Sequence, residues 1–433
     1  MRKFSDIILY PEFKQSWKEI KQEKEKYLFL FFQIVIFSDM LVIGRSSLLL
    51  LNLCLSFFLT IKYSAIRSEK IFQVIAGYLF ICIIPVVLWG LDGLEQPYIG
   101  YAIRLLTACF VANYLRNDFV RLFENLVFFL AYISIPLFLI QLISPHIYDI
   151  FTPLSKAIMS GRQFYTNGQA GITMHQYFFV YVLNGWAVYR NSGFMWEPAA
   201  YGAMLTWALL LNLYMNRFSP NRKMYLFLIA IFTTFSLGTY SYVVIIVVMY
   251  ILQNFNFKKT FPIIFALLGG YVLLTQIDTF SEQYTMMTEK TETYSDVDAA
   301  LTRVEKGAVR TNRVASAYAN LYKLEDSPFG FGMYTGDYVE SSNGLVNFLM
   351  KFGMFGAVVL IISFKLSADY LKKRYFPKAN LIVIWLSVVA FIMPIFGNPF
   401  YNQVFFLAFL LMPYFFRKLN PQFIKQQKLY VKS

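Results

Sequence analysis

The chain alternates long apolar runs with short polar punctuation. Runs at 27–43, 46–61, 71–89, 98–114, 122–143, 198–215, 260–277, 343–364, 381–396 and 399–416 approach the roughly 20 residues that a helix needs to cross a bilayer. Two shorter runs, 224–235 and 240–252, flank Ser236-Leu237-Gly238-Thr239. They read either as a tilted pair of crossings or as one broken helix. Taken as a pair, they bring the set to about twelve spans. The pattern predicts an all-α, polytopic integral membrane protein. Its units are a juxtamembrane segment at 1–26, spans 1–5 in 27–143 and spans 6–9 in 197–277. Spans 10–12 follow in 343–416, then a basic tail at 417–433. Two long polar intervals, 144–196 and 278–342, interrupt the spans.

Charge sets the orientation. Lys62, Arg67 and Lys70, then Arg116 and Arg121, then Arg217, Arg222 and Lys223, then Lys258 and Lys259, and finally Lys372-Lys373-Arg374 punctuate alternate loops. The intervening loop at 90–97 carries Asp92 and Glu95 and no base. Basic loops stay cytoplasmic, so both termini are expected inside and both long intervals outside. Segment 1–26 is polar and Lys-rich without a small-residue cleavage site, so no cleavable signal is expected. Its apolar Phe4, Ile7, Ile8 and Trp17 suit an interfacial helix facing lipid.

Composition agrees: 58% of residues are hydrophobic and only 15% charged, against about one quarter in soluble domains. The formal net charge of +14 sits between the spans, which assigns it to the membrane and not to nucleic acid. Cys54, Cys82 and Cys109 lie inside apolar runs and form neither a disulfide framework nor a zinc pattern. Two ionisable groups fall within spans. Asp39 is placed to pair with Arg45, and Arg104 lies near the outer end of its span, positioned for an anionic substrate or for snorkelling to the interface.

The two outer intervals carry the candidate chemistry. In 144–196, the β-prone runs 177–182 and 186–189 flank Asn184-Gly185, which predicts a small β-hairpin turning at those residues. It leads into Arg190-Asn191-Ser192-Gly193-Phe194-Met195-Trp196-Glu197-Pro198, where a span opens. Pro198 suits a first helical turn, so Glu197 is either a helix cap or a carboxylate held beside Arg190 to orient or deprotonate a sugar hydroxyl. In 278–342, Arg303, Lys306, Arg310 and Arg313 fall within about 80° of one another on a helix of about 100° per residue. Leu301, Val304, Ala308, Ala315, Ala319 and Tyr322 take the other side. Such a row fits a pyrophosphate, because guanidinium forks match phosphate oxygens; it equally serves a solvated face. Asp296-Val297-Asp298 is a short acidic pattern common by chance, and His146 and His175 lack ligand partners in sequence. No metal site and no cofactor is expected.

Arg-x-x-Gly-x-x-x-Glu-Pro opening a span resembles the signature of bacterial O-antigen polymerases of the Wzy type, within the O-antigen ligase/polymerase superfamily. Thr234-Phe235-Ser236 near Gly238 resembles the Thr-x-Ser-x-x-Gly segment of that family. Arg313 followed by Ser327-Pro328-Phe329-Gly330-Phe331-Gly332 resembles its Arg…Pro-x-Gly-x-Gly outer loop. Asn343-x-Leu345…Gly353-x-x-Gly356 resembles the span that follows. The likeness covers about 190–356. Ligases often carry Ser-Arg where this chain has Ser236-Leu237, and a His where Ser341, Ser342 and Asn343 stand; both departures lean toward the polymerase.

The resemblance implies transfer of a glycan from undecaprenyl pyrophosphate to the terminal sugar of another lipid-linked repeat, at the outer face of a bacterial inner membrane. Arg190, Glu197, Arg310 and Arg313 are then the catalytic candidates. Arg303, Lys306, Asn343, Arg104 and Tyr201 are the substrate-binding candidates. The implied partners are undecaprenyl-pyrophosphate-linked glycans, membrane lipid and a chain-length regulator protein. The reaction needs no cofactor, because the diphosphate leaving group is already activated. Ligase and lipid-linked oligosaccharide flippase are the alternatives, the latter disfavoured by the lack of an internal repeat.

Overall fold

The computed structural model describes residues 10–36, 45–63, 66–90, 95–158, 175–177, 179–185, 188–254, 317, 320–321, 323–325, 327–333, 343–398 and 400–416. Its elements are almost all helical. They are α1 (Tyr10–Gln22), α2 (Lys24–Phe31), α3 (Arg45–Tyr63), α4 (Ser68–Trp89), α5 (Glu95–Leu115), α6 (Phe119–Ile143) and α7 (Thr152–Ile158). After a two-stranded hairpin come α8 (Pro198–Met215), α9 (Arg222–Thr233), α10 (Leu237–Gln253), α11 (Gly344–Tyr375), α12 (Leu381–Gly397) and α13 (Val404–Phe415). Three stretches, Ser68–Leu88, Gln96–Ile143 and Gly344–Tyr375, are long and apolar enough to span a membrane. Shorter apolar helices run over Ser47–Tyr63, Gly238–Gln253, Leu381–Gly397 and Val404–Phe415. The run expected at 260–277 and the Asp39–Arg45 pair lie outside the described residues.

Helix α8 is the axis of the bundle. Its sequence PAAYGAMLTWALLLNLYM is apolar all round, and such a helix is stable only when surrounded. It packs against α6, α9, α10, α11 and α12. Small residues on its first turns allow close approach: a Cβ on Gly202 would lie 2.0 Å from Thr239 Oγ1 of α10. Further along, Trp207 donates from its indole N–H to the Phe391 carbonyl at 3.1 Å and packs on Phe400, Phe406 and Phe409. That arrangement satisfies the one polar atom of a large buried ring.

The two short runs after α8 are separate helices. Asn254, just past α10, donates to the Phe218 carbonyl just before α9, at 2.6 Å. The start of α9 and the end of α10 are therefore neighbours, and the pair reverses at 234–236. Phe235 sits there at φ +45°, and the Tyr240 hydroxyl fastens the reversal to the Phe232 carbonyl. The reading as one broken helix is excluded.

A broken helix does occur in α11. Its backbone departs from helical geometry at Gly353, with φ +56° and ψ −152°. The segment 327–333 fills the gap: Phe331 and Gly332 N–H donate to the Met350 and Lys351 carbonyls, and Met354 N–H donates to the Pro328 carbonyl. Gly330, at φ +83°, meets Gly353 backbone to backbone, and a Cβ on Gly353 would lie 2.2 Å from the Phe329 carbonyl carbon. An interrupted helix in an apolar bundle persists only where other groups take up its freed backbone bonds, and this loop supplies them.

One expectation changes. The hairpin exists, but Tyr177 pairs with Val182 and His175 with Asn184, so the strands turn before Val182 and not at Asn184-Gly185. Asn184 lies in the ladder and donates to the Trp196 carbonyl. Burial decided the register: Tyr181 and Leu183 are fully buried with Phe138, Tyr148 and Val188, while Phe179 takes the left-handed turn position at φ +66°. In segment 1–26 the structure describes α1. Trp17 and Phe13 of α1 stack on Phe129 of α6, so this helix docks on the bundle; Phe4, Ile7 and Ile8 lie outside the described residues.

Candidate functional site

The start of α8, the α9–α10 reversal, the first turns of α11 and the α12–α13 reversal gather at one end of the bundle. The segment after the hairpin is tied to the α9–α10 reversal. Arg190 Nε donates to the Thr234 carbonyl at 3.0 Å. Asn191 N–H donates to the Thr233 carbonyl at 2.8 Å, and Asn191 Nδ2 to Thr233 Oγ1 at 2.9 Å. Two stretches more than forty residues apart thus form one structural unit. Gly193, at φ +50°, lets the strap pass the Tyr201 ring, where a Cβ would fall 2.5 Å from the ring carbons.

A second layer holds the Arg190 backbone. Gln141 Nε2 of α6 donates to the Val188 and Arg190 carbonyls, and its Oε1 accepts from the Tyr181 hydroxyl at 2.6 Å. Tyr148 donates to the Leu137 carbonyl at 2.7 Å. Burial pushes the Tyr148 phenol up to about 12 and the Tyr181 phenol well above its ordinary value. Both therefore remain neutral donors near pH 7 and hold the scaffold without serving as a base.

Glu197 stands at the N-cap position of α8 with φ −149° and ψ 155°, yet its carboxylate makes no capping hydrogen bond. Pro198 occupies the first turn, where its missing N–H costs nothing. Glu197 is half-buried beside Trp196, whose ring packs on Phe400. A capping hydrogen bond therefore does not account for this carboxylate. Capping belongs instead to Asn343, whose buried side-chain oxygen accepts from Val346 N–H at 3.2 Å and starts α11. Tyr201 is fully buried, its hydroxyl bonded to Ser134 Oγ at 2.7 Å and its ring edge-on to Phe194. These contacts give it a packing role. Arg104 is half-buried within α5, in electrostatic reach of Tyr101, and has no hydrogen bond or ion pair among the described residues. Arg303, Lys306, Arg310 and Arg313 lie outside the described residues, as does Asp296-Val297-Asp298. His146 makes an exposed contact with Asp149, as a polar loop residue does.

Several buried polar atoms at this end have no partner among the described residues: Ser192 Oγ, Thr239 Oγ1, both amide atoms of Asn398, and Gln403 Oε1. An orphaned buried polar atom costs about 1–3 kcal/mol, which folding tolerates where a ligand or water completes the bond. Sequence reasoning passed over Asn398, Gln403 and Lys351. The signal for Lys351 was present, as a lone base inside the apolar run 343–364. The amides carried none, since Asn398 read as a span boundary before Pro399. No group of three or more His, Cys, Asp and Glu side chains is placed to hold a metal among the described residues.

Fold and site together define a helical protein with stretches long and apolar enough to cross a membrane and a polar, Arg- and Glu-bearing end. No family model, curated protein or solved structure matches this chain.

Proposed function

We propose that this protein polymerises lipid-linked oligosaccharide repeat units at the outer face of a bacterial inner membrane. It would cross that membrane about twelve times with both termini inside. The observation that carries the reading is the junction of Arg190 and Asn191 with Thr233 and Thr234. The Arg-x-x-Gly-x-x-x-Glu-Pro and Thr-x-Ser stretches, each resembling the polymerase signature, are there one site. The meeting of Gly330 with Gly353 joins the other two resembling stretches in the same way.

In the proposed reaction an acceptor sugar hydroxyl attacks the anomeric carbon of the donor glycan. The bond from that carbon to the diphosphate oxygen breaks, and undecaprenyl pyrophosphate leaves. Glu197 orients the hydroxyl and takes its proton. Arg190, with Arg310 and Arg313 from the 278–342 interval, offsets the charge that builds on the diphosphate. Arg303 and Lys306 guide the anionic lipid toward them.

Surface glycan from a strain lacking this gene tests the reading. Single repeats displayed without polymer are expected. Loss of all displayed glycan would instead assign the protein as the ligase or the flippase.

A further inference from the structure

Helix α4 is mostly exposed, and its start carries two cations that the ion pairs of that end leave out. Arg67 Nη1 donates to the Phe416 carbonyl at 3.5 Å, and Lys70 Nζ donates to the Tyr414 carbonyl. Both acceptors belong to the end of α13, where a helix leaves carbonyls without intrahelical partners and favours positive charge. Lys26, Arg121, Arg222 and Lys223, at the same end of the bundle, each pair with a carboxylate. Arg67 and Lys70 pair with none among the described residues, and Glu69, between them in sequence, is exposed. Each keeps donors in reserve, since a guanidinium has five and an ammonium three.

These cations stand at one end of a groove between α4 and α11. There Tyr370 of α11 stacks on Phe416, with ring centres 3.6 Å apart. Further along, α4 and α11 touch again where the Phe80 and Phe355 ring centres lie 5.8 Å apart. Between the two contacts, Val359, Ile362 and Leu366 fall on the same α11 face as Phe355 and Tyr370, within about 80° at 100° per residue. All three are exposed. On α4 the small Ala76 and Gly77 are exposed, and a Cβ on Gly77 would meet nothing within 4 Å. From Phe355 to Tyr370, at about 1.5 Å per residue, the groove is roughly 22 Å long. That is half of a bilayer about 40–45 Å thick with its headgroups. Trp385, exposed and 5.6 Å from the Lys365 ammonium, stands near the cationic end, as aromatic residues do at a membrane interface.

We propose that this groove holds an anionic glycerophospholipid. Its phosphate takes the remaining donors of Arg67 and Lys70, and one acyl chain lies along Val359, Ile362 and Leu366, past Gly77. Lys372, Lys373 and Arg374 end α11 at the same level and add to the attraction for an anionic headgroup. The groove's cationic end lies opposite the end that holds Arg190 and Glu197. The lipid is therefore separate from the proposed reaction, and its binding stands or falls without it.

The test is native mass spectrometry of the full-length protein in detergent, with dioleoylphosphatidylglycerol, dioleoylphosphatidylcholine or geranylgeranyl phosphate added. The parent is expected to retain phosphatidylglycerol about tenfold better than phosphatidylcholine, and less of it in high salt. Arg67→Gln and Lys70→Gln are each expected to lower that retention about fivefold. Lys70→Arg, which keeps the charge, and Lys62→Gln, on α3 at the same end, are expected to bind as the parent does. Gly77→Phe fills the groove without touching either cation and is expected to lower phosphatidylglycerol retention as well. Equal retention of the two phospholipids by the parent overturns the anion site. Unchanged retention in Arg67→Gln and Lys70→Gln, with melting temperatures matched, overturns it too and leaves these cations as closers of α13. Should those two variants fail to fold, Gly77→Phe decides, and parental retention in it overturns the groove. Displacement of phosphatidylglycerol by equimolar geranylgeranyl phosphate overturns the phospholipid assignment in favour of a prenyl phosphate.

Discussion

The two ends of the bundle treat buried polar groups in opposite ways. At the end where α6 and α9 begin, charges find each other across the chain. Glu124, almost wholly buried, accepts from Lys223 at 3.0 Å and from Asn212 at 2.8 Å. Arg121 pairs with Glu19 and Glu23, Lys26 with Asp118, and Arg222 with Glu12. Asn125 adds bonds to Tyr27 and Lys223. A few atoms there, such as Ser16 Oγ and the Tyr370 hydroxyl, stay unpartnered, but the buried charge is matched. At the other end Arg190 bonds a backbone carbonyl, Lys351 lies over a ring, and the amide of Asn398 bonds nothing among the described residues. The first arrangement closes on itself and locks helices together. The second leaves hydrogen-bonding capacity open, as a protein does where a ligand completes it.

The comparison breaks most visibly at Glu124. Glu124→Ala leaves the half-buried Lys223 ammonium without its carboxylate and Asn212 without its acceptor, and is expected to cost about 3 kcal/mol. The Glu124→Leu, Lys223→Met double variant removes both charges and is expected to recover most of that loss. Thermal unfolding of purified protein checks both. A Glu124→Ala protein that melts with the parent would mean the paired end does not hold the bundle.

A smaller effect, on a different observable, is expected at Glu197. Glu197→Gln is close to isosteric, and no capping bond is lost. Melting should stay within about 0.5 kcal/mol of the parent. Polymer formation from lipid-linked repeats should fall about a hundredfold, within the 10²–10⁴-fold range of general acid–base catalysis. Full activity of the variant would remove Glu197 from the mechanism.

The smallest expected effect has the opposite sign. Asn398→Leu replaces an unsatisfied buried amide by an apolar side chain and should raise stability by on the order of 1 kcal/mol. Asn212→Leu, at the paired end, should lower it, since it strips a bond from Glu124. If both changes destabilise equally, the two ends do not differ in the way described.

The apolar helices were legible in the sequence because hydropathy is a property of consecutive residues. Helices α3 to α6, α8 to α10 and α12 follow the apolar runs closely, whereas α11 continues past its run to Tyr375 and α7 forms inside a polar interval. The candidate site was legible in part. Arg190, Glu197, the 234–236 reversal and Asn343 were singled out by residue type and spacing, whereas Tyr201 was drawn in by proximity to a motif. In the structure Tyr201 packs inside the bundle and Asn343 caps α11. The hairpin turn was misplaced because Asn184-Gly185 has turn chemistry, while burial of Tyr181 and Leu183 outweighs that preference.

The sequence by itself determined where the chain is apolar, how long each run is, and which side chains could carry charge. Those depend on local composition and periodicity, and no fold is needed to read them. Only the tertiary structure decided that α9 and α10 form a reversing pair and that α11 is the helix that breaks. It alone brought Gly330 to Gly353, Lys223 to Glu124, and left Asn398 without a partner among the described residues. Each of these depends on groups tens to hundreds of residues apart competing for the same buried space, a competition that no local pattern encodes.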